Sequence, residues 1–380
     1  MKILIDARMY GLENAGIGRY LINLINNLEE IDRDNNYVLL LRKKYFNELN
    51  HFRNYKKVLA DFGHYTFGEQ INLPVLIKKE NPDLVHFPHI NIPVLYKGKF
   101  IVTVHDMTMH YQGISATTLP LYKYLLKRVP YSYAFRQAVL NSAAIITPSK
   151  TVKDEIVNYF KISPEKVSVT YEGYSIDYIV GRASAREFDI LGKYNIANSD
   201  YFFYVGNAYP HKNLERVVKA TIDLNKNKGL SVKFVFAGSR DVFTDRLQKV
   251  IEANSAQDLV KLVGFVNDDE LRVLYKYSLG FVYPSLSEGF GLQGLEAIAS
   301  GTILLAANTP VFQEIYSSHA FYFNPLDVSS ISSTMYSVFG IKKSDKYRYI
   351  KTAQDYIKRY SWRKMAEETL KLYQGTLIKG

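Results

Sequence analysis

The 380-residue sequence contains no cysteine, one tryptophan and no long apolar run. Without cysteine there are no disulfides, no thiolate nucleophile and no Cys-ligated metal. No stretch approaches the ~18 apolar residues a membrane-spanning helix needs. The first apolar run, Ile3 to Ile5, stops at Asp6. That is too short for the roughly 7–15-residue core of a secretory signal. A cytoplasmic chain is therefore expected, with peripheral contact to a membrane left open. Acid is also in deficit, since 37 Asp and Glu face 48 Lys and Arg, a formal charge of +11. What is present, 47% hydrophobic residues, excludes wholesale disorder, because burial of that surface offsets chain entropy. The basic surplus asks for an acidic partner: nucleic acid, an anionic membrane or a phosphorylated small molecule.

Short β-branched runs alternate with amphipathic helical patterns. Lys2 to Ile5, Tyr37 to Leu41, Leu84 to Phe87, Phe100 to Val104, Ala143 to Thr147 and Val167 to Thr170 read as strands. Arg19 to Glu30 reads as a helix, with Leu21, Leu24, Ile25 and Leu28 on one face. Ser149 precedes a helix over Val152 to Phe160 as its N-cap. The rhythm breaks near 176–195 and restarts with strands at Tyr201 to Val205, Val232 to Ala237, Val260 to Val263, Gly280 to Tyr283 and Thr302 to Ala306. Tyr347 to Tyr373 reads as one or two terminal helices. No repeat of roughly 20–50 residues points to a solenoid. Two doubly wound α/β sheets are expected, over 1–178 and 179–358, followed by a helical segment 359–380. Ligands of such sheets bind at the carboxyl ends of the strands, so the crevice between two sheets is the expected site.

Four loops carry unusual residues. Ser285 to Gly301, SLSEGFGLQGLEAIASG, follows a strand and opens a helix. Gly289 and Gly291 admit close backbone approach, and a helix N-terminus favours an anion. Glu288 at the mouth and Glu296 one turn into the helix suit a hydroxyl-rich ligand with phosphate between its ends. The bland alternative is a glycine turn with Glu288 an ordinary acid and Glu296 a solvated helix residue. In YVGNAYPHKNLERV, Tyr204 to Val217, a strand ends at Gly206, His211 and Lys212 follow, and Asn213 is placed to cap the next helix. Lysine beside free helix N–H groups suits a diphosphate; a surface lysine is the alternative. In NAGIGRYLINL, Gly16 and Gly18 precede a helix like a phosphate loop, but a dinucleotide fingerprint would need glycine where Leu21 stands. Arg19 there reads equally as a phosphate partner or a helix-surface residue. In TVHDM, His105 ends a strand and Asp106 fixes the loop. His86, His89 and His105 invite a metal reading, but a spacing of three on a strand and loop does not converge ligands.

The segment EGFGLQGLE resembles the E-x7-E signature of the retaining family 4 glycosyltransferases. LVGFVNDDELRVLY, FVYPSL and SGTILLAANTPVFQEI surround it in that family's order, and IDARMYG, AGIGRY, DLVHFPH, TVHDM and IITPS are similar to its N-terminal loops. The resemblance implies a GT-B fold: two Rossmann-like domains facing across a deep cleft, the first binding acceptor, the second donor, and the last helix returning to the first. It implies retaining, metal-independent transfer of a hexose from a nucleoside-diphosphate sugar, GDP-mannose or a UDP-sugar, to a glycan or lipid-linked acceptor. No cofactor beyond that co-substrate and no nucleic acid are implied. Glu288, His105 and Lys212 would be catalytic. Gly16, Gly18, Gly206, Asn207, Lys212, Gly264, Phe265, Val266, Gly289, Phe290, Gly291, Leu292 and Glu296 would hold the donor nucleotide and diphosphate. Glu288 would hold sugar hydroxyls and Glu296 the ribose diol. The chain departs from the pattern at Gln293, where the family has proline, at Asn207, where it often has arginine, and at VTYEGYSID in the hinge. A sugar-nucleotide epimerase, a phosphorylase and a basic nucleic-acid binder are the alternatives.

Residues 36–136 hold 14 Lys and Arg against 6 Asp and Glu. Within them, 119–139 reads as a basic amphipathic helix suited to anionic lipid, or else as a solvated charged face.

Overall fold

The computed structural model describes residues 1–49, 55–111, 117, 120–175 and 185–378. It divides into two compact units. Unit 1 comprises Met1–Tyr111, Leu119–Gly173 and Tyr360–Gly380, and unit 2 is built on Tyr174–Arg359. The expected boundary at 178/179 lies outside the described residues. The chain re-enters unit 1 between Arg359 and Tyr360.

Unit 1 carries seven parallel strands: β1 (Lys2–Asp6), β2 (Asn36–Leu41), β3 (Tyr55–Leu59), β4 (Leu84–Phe87), β5 (Phe100–Thr103), β6 (Ala144–Thr147) and β7 (Val167–Val169). Their order is β3-β2-β1-β4-β5-β6-β7. Central strands such as FIVT and AIIT are buried at every position, which is why they read as apolar runs without alternation. On one face, Leu4, Val85, Val102 and Ile145 pack with Leu73 and Ile77 of helix Phe67–Glu80, Phe135 of helix Leu121–Asn141 and Ile156 of helix Lys150–Phe160. Ser149 caps that last helix by accepting from Val152 N–H at 3.2 Å, as expected. The other face belongs to helix Ala15–Ile31, which buries Leu21, Leu24, Ile25 and Leu28, and to the final helix, Trp362–Ile378, packed beside it. Tyr373 of that helix places its hydroxyl 2.7 Å from His86 Nδ1. The terminal helical pattern therefore divides: Lys343–Ile357 lies in unit 2 and Trp362–Ile378 in unit 1.

Unit 2 carries six parallel strands: β8 (Tyr201–Val205), β9 (Lys233–Ala237), β10 (Val260–Gly264), β11 (Gly280–Tyr283), β12 (Leu304–Ala307) and β13 (Phe321–Phe323). Their order is β10-β9-β8-β11-β12-β13. Local chemistry starts its helices. Asn267 and Glu270 form a reciprocal capping box ahead of helix Asp268–Tyr277, satisfying two otherwise orphaned donors. In each sheet the strand order reverses beside the first strand, between β1 and β4 and between β8 and β11. These are the switch points where the loops diverge and leave room for a ligand.

Candidate active site

The switch point of unit 2 brings Lys212 and Glu288 together. They are 76 residues apart in sequence, yet Lys212 Nζ lies 2.5 Å from Glu288 Oε1. Lys212 ends the 3-10 turn Pro210–Lys212 in the loop after β8 and is only 7% exposed. An ammonium that buried requires a paired charge, so a plain surface lysine is excluded. The two loops are tied by backbone, with Leu286 N–H donating to His211 O at 2.8 Å. Asn213 adds side-chain ties. It occupies the N-cap position of helix Leu214–Lys228, as expected, but at φ 58° and without a side-chain capping bond. Instead its amide donates to Pro284 O at 3.2 Å and Pro325 O at 2.7 Å. That amide anchors the lysine loop to the glutamate loop.

Beneath the pair lie Tyr204 and Tyr283, each 1% exposed. Burial, reinforced by the Glu288 carboxylate, raises both phenols well above their ordinary range, so they stay neutral. Tyr283 donates to Gln293 Oε1 at 2.6 Å. Gln293 thus satisfies a buried hydroxyl, a role the family's proline would not fill. Gly291, at φ 102°, precedes helix Leu292–Ala299, which no side chain caps. A Cβ on Gly291 would sit 2.3 Å from the Tyr316 hydroxyl, which itself donates to Gly291 O. Phe290 is buried between Gly289 and Gly291, and Leu292 opens the helix. Glu296 is 3% exposed, so the solvated-helix alternative for it is excluded.

The neighbouring loops bring the remaining unit 2 residues to the same ends of the strands. Gly206 N–H donates to Ala237 O at 3.0 Å, and Gly238 N–H to Gly264 O at 2.9 Å. Asn207 takes the Tyr204 hydroxyl on its carbonyl at 3.2 Å. Phe265 stands 80% exposed, and Val266 is buried.

In unit 1 the glycine pair departs from expectation. Gly16 and Gly18 do not form a loop before the helix; the helix begins at Ala15, and both lie in its first turn. Gly16 faces open space. Gly18 is buried, and a Cβ there would come within 1.8 Å of Gly11 O, so its glycine admits the preceding loop. His105 sits at the end of β5. Its Nε2 donates to Pro88 O at 3.0 Å, and its Nδ1 lies 3.3 Å from Glu172 Oε1. Both partners are acceptors, a carbonyl and a carboxylate, and together they fix the orientation of the ring. Asp106 Oδ1 accepts from Thr108 N–H at 2.7 Å, fixing the loop as expected. His86 has both nitrogens engaged, by Tyr373 and by Thr103 at 2.8 Å. Burial lowers it to about 3, which marks a core histidine.

Two doubly wound parallel units of this kind define the GT-B class of transferases. The sequence model described as Glycosyltransferase Family 4 matches residues 15–178, and that described as Glycosyl transferases group 1 matches 188–354. The O-antigen chain mannosyltransferase RfbU of Salmonella typhimurium is 28% identical over 379 residues, covering 96% of this chain and 97% of the relative. The O-antigen chain mannosyltransferase B of Escherichia coli is 26% identical over 392 residues, covering 98% and 100%. Among solved structures, HepE from Anabaena in complex with UDP-glucose superposes with a TM-score of 0.76 at 14% identity, covering 99% and 100% of the two chains. A glycosyltransferase from Rickettsia africae gives 0.74 at 18% identity, covering 99% and 98%. The chain belongs to the group 1 (family 4) glycosyltransferases and is a hexosyltransferase.

Proposed function

We propose that the enzyme transfers mannose from a nucleoside-diphosphate donor, GDP-mannose by preference, to a glycan acceptor in the assembly of a surface polysaccharide. The anomeric configuration is retained and no metal takes part. The observation that carries the reading is the Lys212–Glu288 pair at the unit 2 switch point. The mannose assignment draws on the names of the two full-length relatives.

When the anomeric C–O bond breaks, negative charge gathers on the departing diphosphate and positive charge on the sugar ring. Lys212 and the uncapped start of helix Leu292–Ala299 answer the first. They do so without a divalent ion. Glu288, next to that lysine, holds sugar hydroxyls, and buried Glu296 takes the ribose diol. The Gly264–Val266 loop contacts the base through its backbone, and Gly206, Asn207 and the Gly289–Leu292 turn line the diphosphate. His105, held by Pro88 O and Glu172, is the third catalytic side chain. Incubation with a panel of nucleotide sugars should release GDP from GDP-mannose with an α-linked product, and EDTA should leave the rate unchanged. Release of no nucleoside diphosphate from any donor sinks the reading.

The enzyme also docks on anionic membrane, where a lipid-linked glycan would be met. Helix Leu121–Asn141 exposes Tyr122, Leu126 and Val129 to 61%, 70% and 71%, carries Lys123, Lys127, Arg128 and Arg136, and has no acid. Helix Phe67–Glu80, packed on the same sheet face, exposes Phe67, Ile71 and Val75. Among the described residues no helix is long and apolar enough to cross a membrane, so the contact is peripheral.

A further inference from the structure

The strand order of unit 1 turns a separation of 67 residues into a contact. β5 ends at Thr103 and β7 at Val169, with β6 between them. All three strands are parallel, so their loops leave the same carboxyl edge of the sheet. Val104 N–H donates to Ile146 O and Thr170 N–H to Thr147 O, both at 2.9 Å, which holds each chain to the sheet for one residue more. Just beyond these bonds stand His105 and Glu172, with His105 Nδ1 3.3 Å from Glu172 Oε1.

Glu172 is only 5% exposed, and a carboxylate that buried requires a partner. Among the described residues its hydrogen-bond partner is His105. The backbone on either side of Glu172 is pinned. Tyr171 meets the ring of Tyr360 edge-on, with centroids 5.6 Å apart. A Cβ on Gly173 would lie 2.2 Å from Trp362 N, so only glycine admits the chain that re-enters unit 1 at Tyr360. Glu172 therefore has a fixed seat from which to hold a second group. The imidazole it meets is held on its other sides by Pro88 O, 3.0 Å from Nε2, and by the ring of Tyr20, edge-on with centroids 5.0 Å apart. Tyr20 is itself buried, and its hydroxyl lies 3.3 Å from Thr103 Oγ1. A bond at one nitrogen leaves an imidazole free to swing about that contact, whereas bonds at both fix its two side-chain torsions.

We propose that Glu172 is a positioning residue of the transfer reaction: it touches no substrate and acts by fixing the ring of His105. The inference rests on the reading of His105 as a catalytic side chain. Asp32 shows what a carboxylate with a purely structural task does here. It accepts from the backbone N–H groups of Asp34 and Asn35 beside it, at 3.0 and 3.3 Å. Glu172 instead gives its oxygen to a histidine on another loop, at the strand ends where ligands of such sheets bind. Its position in the sequence hides this role, because it falls in VTYEGYSID, the hinge segment where the chain departs from the family pattern.

A double-variant cycle in turnover tests this. Glu172→Ala should lower kcat about 10–100-fold, the scale of misplacing a catalytic group by up to an ångström, and leave the affinity for GDP unchanged. Glu172→Gln keeps the size and an acceptor oxygen and should lose about 5-fold, a charged contact exchanged for a neutral one. Because Glu172 acts through His105, Glu172→Ala combined with His105→Ala should be no slower than His105→Ala alone. If Glu172→Ala melts below the wild type, Glu172→Gln takes its place in the cycle. Near-normal kcat in Glu172→Ala, losses that multiply in the double variant, or full turnover in His105→Ala each overturns the proposal. Histidine-selective nitrogen-15 NMR reads the contact without turnover. The Nδ1 signal missing from His105→Ala should shift in Glu172→Gln. An unmoved signal in an enzyme that releases nucleoside diphosphate sinks this inference alone. A shifted signal in a protein that releases none sinks the transfer reading, and this role with it.

Discussion

Glu288→Gln and Lys212→Ala should agree in turnover and part company in binding. The two charges hold each other, with side chains only 15% and 9% exposed. At an effective dielectric near 20, unit charges about 4 Å apart attract by roughly 4 kcal/mol, and desolvation of both groups offsets much of that. A diphosphate must therefore compete with Glu288 for the ammonium. Removing the lysine deletes a charge-assisted contact of about 1.5–3 kcal/mol, so nucleoside diphosphate affinity should fall roughly 10–150-fold in Lys212→Ala. Glu288→Gln keeps the shape, removes the competing charge and leaves Lys212 free for phosphate, so affinity should hold or rise. Turnover should drop at least about 100-fold in both, the scale of losing one preorganised electrostatic contact. Calorimetry with GDP gives the affinities, and a coupled assay of nucleoside diphosphate release gives the rates. Undiminished GDP affinity in Lys212→Ala, or near-normal turnover in Glu288→Gln, would refute the assignment of the pair.

Three further outcomes follow from the geometry. Gly16→Ala should stabilise the protein by up to about 1 kcal/mol, since helical alanine is favoured and nothing lies near. Gly18→Ala should cost about 1–3 kcal/mol because a backbone carbonyl blocks it; equal urea midpoints for the two variants would contradict this. His86 titrates near 6.5 when unfolded but near 3 when buried, so only the unfolded chain gains its proton as pH falls from 6.5 towards 3. Its stabilising contribution is complete above 6.5, and about 2 kcal/mol should be gone at pH 5. His86→Gln should flatten that part of the urea-stability profile, and an unchanged slope would exclude the effect. Finally, the enzyme should pellet with phosphatidylserine vesicles at low salt, and Lys123→Glu with Lys127→Glu should release it, at about 1 kcal/mol per lost cation; wild-type protein left in the supernatant would remove the membrane surface.

Much of this molecule is local chemistry and is legible residue by residue. Apolar runs such as AIIT and FVY must be buried strands, the Leu21–Leu28 stripe must be a helix face, and Ser149 announces its helix. The family signature around Glu288 and Glu296 is equally local, because a glycine turn leading into a helix occupies a few consecutive residues. Other elements hide. β3, with the sequence YKKVL, looks too charged for a strand until it proves to be the sheet edge, where Lys56 pairs with Glu80 and Lys57 reaches Phe46 O. Edge strands tolerate and use such lysines. Gly18 looked like a phosphate-loop residue because its neighbour in space, Gly11 O, is invisible in a local window. Asn213 does occupy the cap position, but the partners of its amide, Pro284 and Pro325, lie far along the chain.

The sequence by itself therefore determined the alternation of strands and helices and the family. Both depend on spacing within a few turns of chain. Only the tertiary structure decided which groups meet. Strand order sets the switch points, and the switch point of unit 2 puts Lys212 against Glu288. Such pairings are paid for by burial of the whole sheet, a long-range free energy that no segment carries alone. For that reason the pairing of Lys212 with Glu288 cannot be seen in either loop alone.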